Sequence, residues 1–204
     1  GDNAAGKATP PSGLTNVVAV AAALTHSLAL LPDGRVVAWG SSSFGSTNVP
    51  VNLTNAVAIA CSGQHSLALR SDGTVVAWGD NFLGATNVPA GLTNVTAIAA
   101  GLDFCIALRD DGRLAKWGFF GWQVSDITNV VGIAAGVSQV LAQYPDGTVL
   151  DRGQAGPPAG LTNVFALAAN LQSLAAVGND PPLLRAFLVN PTLSAEGFNV
   201  SLPT

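Results

Sequence analysis

His26-Ser27-Leu28-Ala29-Leu30-Leu31-Pro32-Asp33-Gly34-Arg35-Val36-Val37-Ala38-Trp39-Gly40 reads as two short strands folded about an Asp-Gly turn, and the chain writes the block again 39 residues later. Trp39-Gly40, Trp78-Gly79 and Trp117-Gly118 mark the step, as do Asp33-Gly34, Asp72-Gly73 and Asp111-Gly112. Ahead of each block stand Leu14-Thr15-Asn16, Leu53-Thr54-Asn55 and Leu92-Thr93-Asn94. A repeat of this length is one supersecondary unit that cannot bury its own apolar faces, so stacking on its neighbours makes the core.

Within a copy, Val17-Val18-Ala19-Val20-Ala21-Ala22 is an apolar run with no helical period, and it precedes the two strands of the block. Asp-Gly suits the turn because it tolerates positive φ. Thr47-Asn48-Val49-Pro50 reads as a short outer strand ended by proline. Three or four short antiparallel strands per copy describe a propeller blade, so the expected class is all-β, a β-propeller. Ala19, Ala21, Ala58, Ala60, Ala97, Ala99, Ala134 and Ala135 suit inner strands that converge on an axis. The tryptophans suit the wedge between blades, provided each Nε1–H finds an acceptor.

Two fainter copies follow. In the fourth, Ile127-Thr128-Asn129 opens the repeat and Arg152-Gly153 stands where Trp-Gly is expected. The fifth runs from Leu161-Thr162-Asn163 to Val177, after which Asn179-Asp180-Pro181-Pro182 replaces the Asp-Gly turn. Residues 1–182 are therefore assigned to the repeats, and 183–204 to a closing strand or a linker into a following domain. Leu183–Val189 is the candidate third strand of copy five. Gly1-Asp2-Asn3 matches Gly79-Asp80-Asn81, so the sequence starts inside a repeat, as expected of a processed chain or a piece of a longer one.

Composition limits the function classes. Of 204 residues only 10% are charged, and the net charge is −4 with 8 Lys plus Arg. A nucleic-acid binder needs a basic stripe to displace counterions, and none is present. The same shortage argues against an anionic membrane surface, and no apolar run reaches the length of a membrane-spanning helix. Cys61 and Cys105 lie at different places in successive copies with no CxxC, and read as buried thiols or as a bridge between neighbouring blades. HExxH, GxSxG and GKS/T motifs are absent. His26 and His65 precede Ser-Leu-Ala-Leu, but Phe104, Gln139 and Gln172 take that place in later copies. A catalytic base would not be swapped for Phe, so a locally hydrogen-bonded loop-end side chain is the expectation. His26 and Ser27 are not a base–nucleophile pair, because strand neighbours point to opposite faces. Asp33, Asp72, Asp111 and Asp146 each precede Gly and read as turn residues. The expectation is a non-enzyme with no cofactor and no metal.

The Trp-Gly, Asp-Gly, His-Ser-Leu-Ala-Leu and Asn-Val-Pro spacing resembles the short-bladed bacterial branch of the regulator-of-chromosome-condensation repeats, the branch that contains β-lactamase inhibitory proteins. The resemblance covers residues 1 to about 153 closely and 161–177 faintly. It implies a propeller, seven-bladed in that family, whereas five copies are legible here. A five-bladed ring, an open arc, or a ring completed by another chain all remain open, and an arc would expose unpaired edges that favour self-association. The resemblance also implies where a partner is held. One loop set follows Trp-Gly and contributes Phe44, Phe82, Phe119, Phe120 and Trp122. The other precedes the His-Ser-Leu-Ala-Leu strand and contributes Leu24, Thr25, Gln64, Leu102 and Asp103. Exposed aromatics on rigid loops fit binding hot spots. The expected function is a protein-interaction module, extracellular or on a bacterial surface. The alternatives are a self-associating structural or adhesive segment of a large surface protein, and an inhibitor of a β-lactamase-type enzyme. Glycan binding through Trp122 is a weaker reading.

Overall fold

The computed structural model describes residues 3–119, 121, 123–153, 164–169 and 174–178; of the last two stretches it describes the backbone and the Val164 and Leu167 side chains. Among the described residues fourteen strands follow in chain order: β1 (Ala19–Ala22), β2 (His26–Leu30), β3 (Val36–Gly40), β4 (Ala56–Ser62), β5 (His65–Arg70), β6 (Val75–Gly79), β7 (Val95–Ala100), β8 (Phe104–Arg109), β9 (Leu114–Gly118), β10 (Gly132–Ala135), β11 (Val140–Gln143), β12 (Val149–Arg152), β13 (Val164–Ala169) and β14 (Leu174–Gly178). They form four three-stranded antiparallel sheets and a two-stranded fifth, each made of consecutive strands. These are the blades of an all-β propeller. The first strands of successive sheets, β1, β4, β7, β10 and β13, neighbour one another, as the alanine-rich inner position requires.

The repeat motifs have identifiable mechanical roles. In the second hairpin Leu31 N–H donates to Arg35 O (2.9 Å) and Gly34 N–H to Leu31 O (3.0 Å), with Gly34 at φ 80°. The aspartate fixes the turn through its side chain: Asp33 Oδ1 accepts from Arg35 N–H at 3.1 Å, and Asp72 from Thr74 N–H at 2.9 Å. The Gly34 carbonyl then accepts Ala56 N–H of the next blade (3.1 Å), and a Cβ on Gly34 would stand 2.7 Å from Asn55 Cα. The same tie recurs as Val95 N–H to Gly73 O and Val130 N–H to Gly112 O. Asn16, Asn55, Asn94 and Asn129 all adopt positive φ, between 54° and 61°. Asparagine tolerates that conformation best among residues with a side chain, which explains the Leu-Thr-Asn signature.

Packing between blades alternates along each second strand. Leu28 and Leu30 face the following blade, where they meet Ala68 and Trp78. Leu67 and Leu69 meet Ala107 and Trp117 one step later. Ile106 and Leu108 meet Val140 and Ala142 at the third interface. The tryptophans fill the wedges as expected. Trp78 Nε1–H donates to Ser46 O at 2.9 Å, and Trp117 Nε1–H to Ala85 O at 2.8 Å. Trp39 is half-buried, and its shielded Nε1–H has no acceptor. In the fourth blade Arg152 occupies the register place of the tryptophan, opposite Val140, and pairs with Asp126.

One expectation and one alternative need correction. The Thr47–Pro50 segment is not an outer strand, and neither is its copy at 86–89. Its backbone donors are spent locally: Asn48 N–H on Gly45 O (3.0 Å) and Val49 N–H on Thr47 O (3.0 Å). The segment serves instead to press Val49 and Val88 onto the cores between blades. Of the two readings of the cysteines, the thiols hold and the alternative bridge between blades does not: Cys61 and Cys105 are free. Burial pushes the Cys61 thiol up to about 12 and raises that of Cys105 as well, so both are inert apolar groups at neutral pH. The proposed strand Leu183–Val189 and the 183–204 tail lie outside the described residues.

Candidate functional site

The two loop sets meet on one end of the blades. After each Trp-Gly the chain leaves its third strand and is immediately bonded to the turn between the first two. Ser41 N–H donates to Thr25 O (2.9 Å), Asp80 N–H to Gln64 O (3.0 Å) and Phe119 N–H to Asp103 O (2.9 Å). The Asp-Gly turns lie at the opposite end of the same strands. One face thus carries Phe44, Phe82 and Phe119 beside Leu24, Thr25, Gln64, Leu102 and Asp103. Phe120 and Trp122 lie outside the described residues.

The backbone of this face is tightly held. Gly79 has φ 103°, and a Cβ there would lie 2.5 Å from Gln64 O and 2.9 Å from His65 Cα. Both neighbours are backbone and cannot give way. Gly79→Ala is therefore expected to cost on the order of 3 kcal/mol from conformational strain and overpacking together. A urea titration measures it; a variant within 1 kcal/mol of the wild type would mean the loop is looser than described.

The aromatics point outward. Phe82 is 88% exposed, Phe119 66% and Phe44 64%. Phe44 adopts φ 58°, a strained conformation for an aromatic residue, while its counterpart Leu83 does not. Phe82 is set by an Asx turn in which its N–H donates to Asp80 Oδ1 at 2.9 Å. Between the loops of the second and third blades lies a cleft of about 120 Å³. It brings together Leu24, Gln64, Leu102 and Asp103 with five residues not expected there from the sequence: Gly63, His65, Asp80, Leu83 and Ala85. A signal was available at position 103, which holds a carboxylate where the earlier copies hold Thr25 and Gln64. Burial, and secondarily the Asp80 charge, raise the Asp103 carboxyl above its ordinary range.

His26 is not part of an open site, and His65 meets the cleft only as a buried part of its wall. Both are fully buried; His26 Nδ1 lies 3.4 Å from Thr25 Oγ1, the local bond expected, and both rings also reach partners in the next blade. His26 Nε2 is 2.8 Å from Ser66 Oγ, and His65 Nε2 is 3.3 Å from Cys105 Sγ. Ser66 Oγ also donates to Ser46 O at 3.2 Å, and Cys105 Sγ to Ala85 O at 3.2 Å. The histidines are cross-blade ties whose partners occupy the same repeat position 39 residues apart.

Two stretches, residues 17–46 and 56–85, match the model of the regulator of chromosome condensation (RCC1) repeat. No curated protein matches the chain. Among solved structures the chain is similar to the ectodomain of the Physcomitrella patens receptor kinase CR4 (17% identity, TM-score 0.71, covering 90% of this chain and 55% of that one). It is also similar to human WBSCR16 (19% identity, TM-score 0.66, 80% and 58%). A third similar structure is Prp20p of Saccharomyces cerevisiae, described with its binding to Gsp1p and histones (23% identity, TM-score 0.64, 80% and 56%). At these identities the likeness is one of fold. The chain spans a little over half the length of each of these proteins.

Proposed function

We propose that this chain is a non-enzymatic protein-interaction module whose contact surface is the loop face carrying Phe44, Phe82 and Phe119, with Leu24, Gln64, Leu102 and Asp103 between them. The observation that carries the reading is the exposure of three phenylalanines, from 64% to 88%, on loops pinned by backbone hydrogen bonds. Such rings add nothing to the core, and one of them holds a strained backbone. A rigid face of this kind binds with little ordering cost. The similarity to Prp20p, which binds Gsp1p and histones, supports a binding role for the repeat without supplying the partner. Among the described residues no helix is long and apolar enough to cross a membrane. The setting proposed with this function is extracellular or on a bacterial surface. Inhibition of a β-lactamase-type enzyme is the concrete version to assay first.

The test is capture by the wild-type chain against a Phe44→Ala/Phe82→Ala variant, with Arg35→Ala at the opposite end as the control. Loss of at least about tenfold in retained partner is expected for the double variant and none for the control, as for hot-spot residues. Equal capture by all three would move the contact surface elsewhere.

A second reading, self-association of a structural segment, rests on a different observation. Val20 on β1 is 73% exposed and Val18, just before it, 60%, although Ile59, the counterpart of Val20, packs against the preceding blade. Sedimentation showing a dimer that Val20→Lys dissociates would favour it.

A further inference from the structure

The cleft at the third blade has a counterpart at the first, and the two differ in what fills them. Lys7, Ser46 and Ala85 occupy one repeat position, and Leu24, Gly63 and Leu102 another. In the first copy Lys7 reaches across and donates from Nζ to Leu24 O at 2.9 Å. In the third copy the lysine is replaced by Ala85, and the space beside Leu102 is the open cleft of about 120 Å³. Its walls carry two acids: Asp80 stands where the first copy has Asp2 and the second Ser41, and Asp103 replaces the neutral Thr25 and Gln64 of those copies. Gln64 lines it as well, with an Oε1 that is shielded from solvent and has no hydrogen-bond partner. No lysine or arginine of the chain lines the cleft among the described residues.

The geometry points to this cleft as the receptor for a lysine or arginine side chain of the protein partner, seated where Lys7 sits in its own copy. This inference rests on the proposed interaction face and deepens it. The ammonium or guanidinium would lie between the Asp80 and Asp103 carboxylates. Leu83 and Leu102 would flank its methylene stem. Burial first, and the Asp80 charge second, raise the Asp103 carboxyl, as in a confined site without a counter-charge. The exposed Phe82 ring stands on the loop of Asp80, so an aromatic contact and a buried charge contact would fall side by side.

Binding is read by ¹H–¹⁵N NMR titration of the full chain with acetyl-arginine amide and acetyl-lysine amide, with acetyl-norleucine amide as the uncharged probe. Saturable shifts at the amides of Gln64, Asp80 and Asp103 are expected for the cationic probes and not for norleucine. Asp80→Asn/Asp103→Asn should weaken the cationic probes at least tenfold. Ala85→Lys, which restores the residue of the first copy, should abolish binding while leaving the Phe82 amide environment folded. No shift with either cation, or equal shifts with norleucine, overturns the inference. That result would leave the Phe44→Ala/Phe82→Ala capture untouched, so failure of the cleft and failure of the face are separable.

Discussion

Between pH 7 and pH 4 the fold is expected to lose on the order of 6 kcal/mol through His26 and His65 alone, about 3 kcal/mol from each. Both imidazoles are buried in the wedges between blades, and both pKa values are lowered from 6.5 to about 4. Burial is the cause for His26. For His65 burial comes first, the His26 charge adds to it, and Asp80 opposes it. The native state therefore favours the neutral ring. Above pH 6.5 the ring is neutral folded or unfolded, and the stabilisation is fully present. As pH falls below 6.5 the unfolded chain takes up protons that the folded chain refuses, and stability drops until about pH 4. Below that both states are protonated and the contribution is gone. Urea midpoints measured from pH 7.5 to 4 test this against a His26→Gln/His65→Gln variant, which carries the residue that Gln139 and Gln172 place in later copies. The variant should flatten the slope between pH 6.5 and 4. Parallel profiles would mean the histidines are solvated or charged in the native state.

Trp117→Ala is expected to cost about 3–5 kcal/mol, the range for removing a large buried aromatic. Trp117 is 6% exposed and packs with Leu67, Leu69 and Ala107 across the interface of the second and third blades. Its loss also takes away the donor that Ala85 O receives at 2.8 Å. Stability in a repeat array is a sum of unit terms and nearest-neighbour interfaces, so weakening one central interface also divides the array. The unfolding curve should broaden or split, with the first two blades melting apart from the third and fourth. Trp39→Ala is the internal control. It removes a half-buried ring whose Nε1–H is unpaired, so its cost should be much smaller. Equal losses at the two positions would contradict the wedge account.

The period, the blade and the wedge tryptophans were legible in the sequence because each is written in residues with few alternatives. Trp-Gly, Asp-Gly and Leu-Thr-Asn recur at one spacing, and each performs one backbone or packing task wherever it appears. Thr47–Pro50 misled because an apolar β-branched residue before proline has the composition of a strand. Its local turn bonds cannot be seen in the composition. The histidines were placed at the right strand start, and His26 makes the local bond expected, to Thr25, but the cross-blade partners Ser66 and Cys105 were missed because they lie a full repeat away. The aromatic loop residues Phe44, Phe82 and Phe119 emerged on one face together with Leu24, Gln64, Leu102 and Asp103. Asp80, Leu83 and Ala85 were missed because a cleft between copies is a difference between repeats. Reading the motif for what stays constant hides the exchange of Lys7 for Ala85.

Hydrogen–deuterium exchange of the wild-type chain, alone and with a partner recovered by capture, tests the central claim most directly. The account predicts protection at residues 24–25, 41–45, 63–64, 80–84 and 102–103, on the end where the loops after Trp-Gly meet the turns of the first hairpins. Protection concentrated at the Asp-Gly turns, 31–35, 70–74 and 109–113, or along the exposed β1 edge at 17–22, would contradict it.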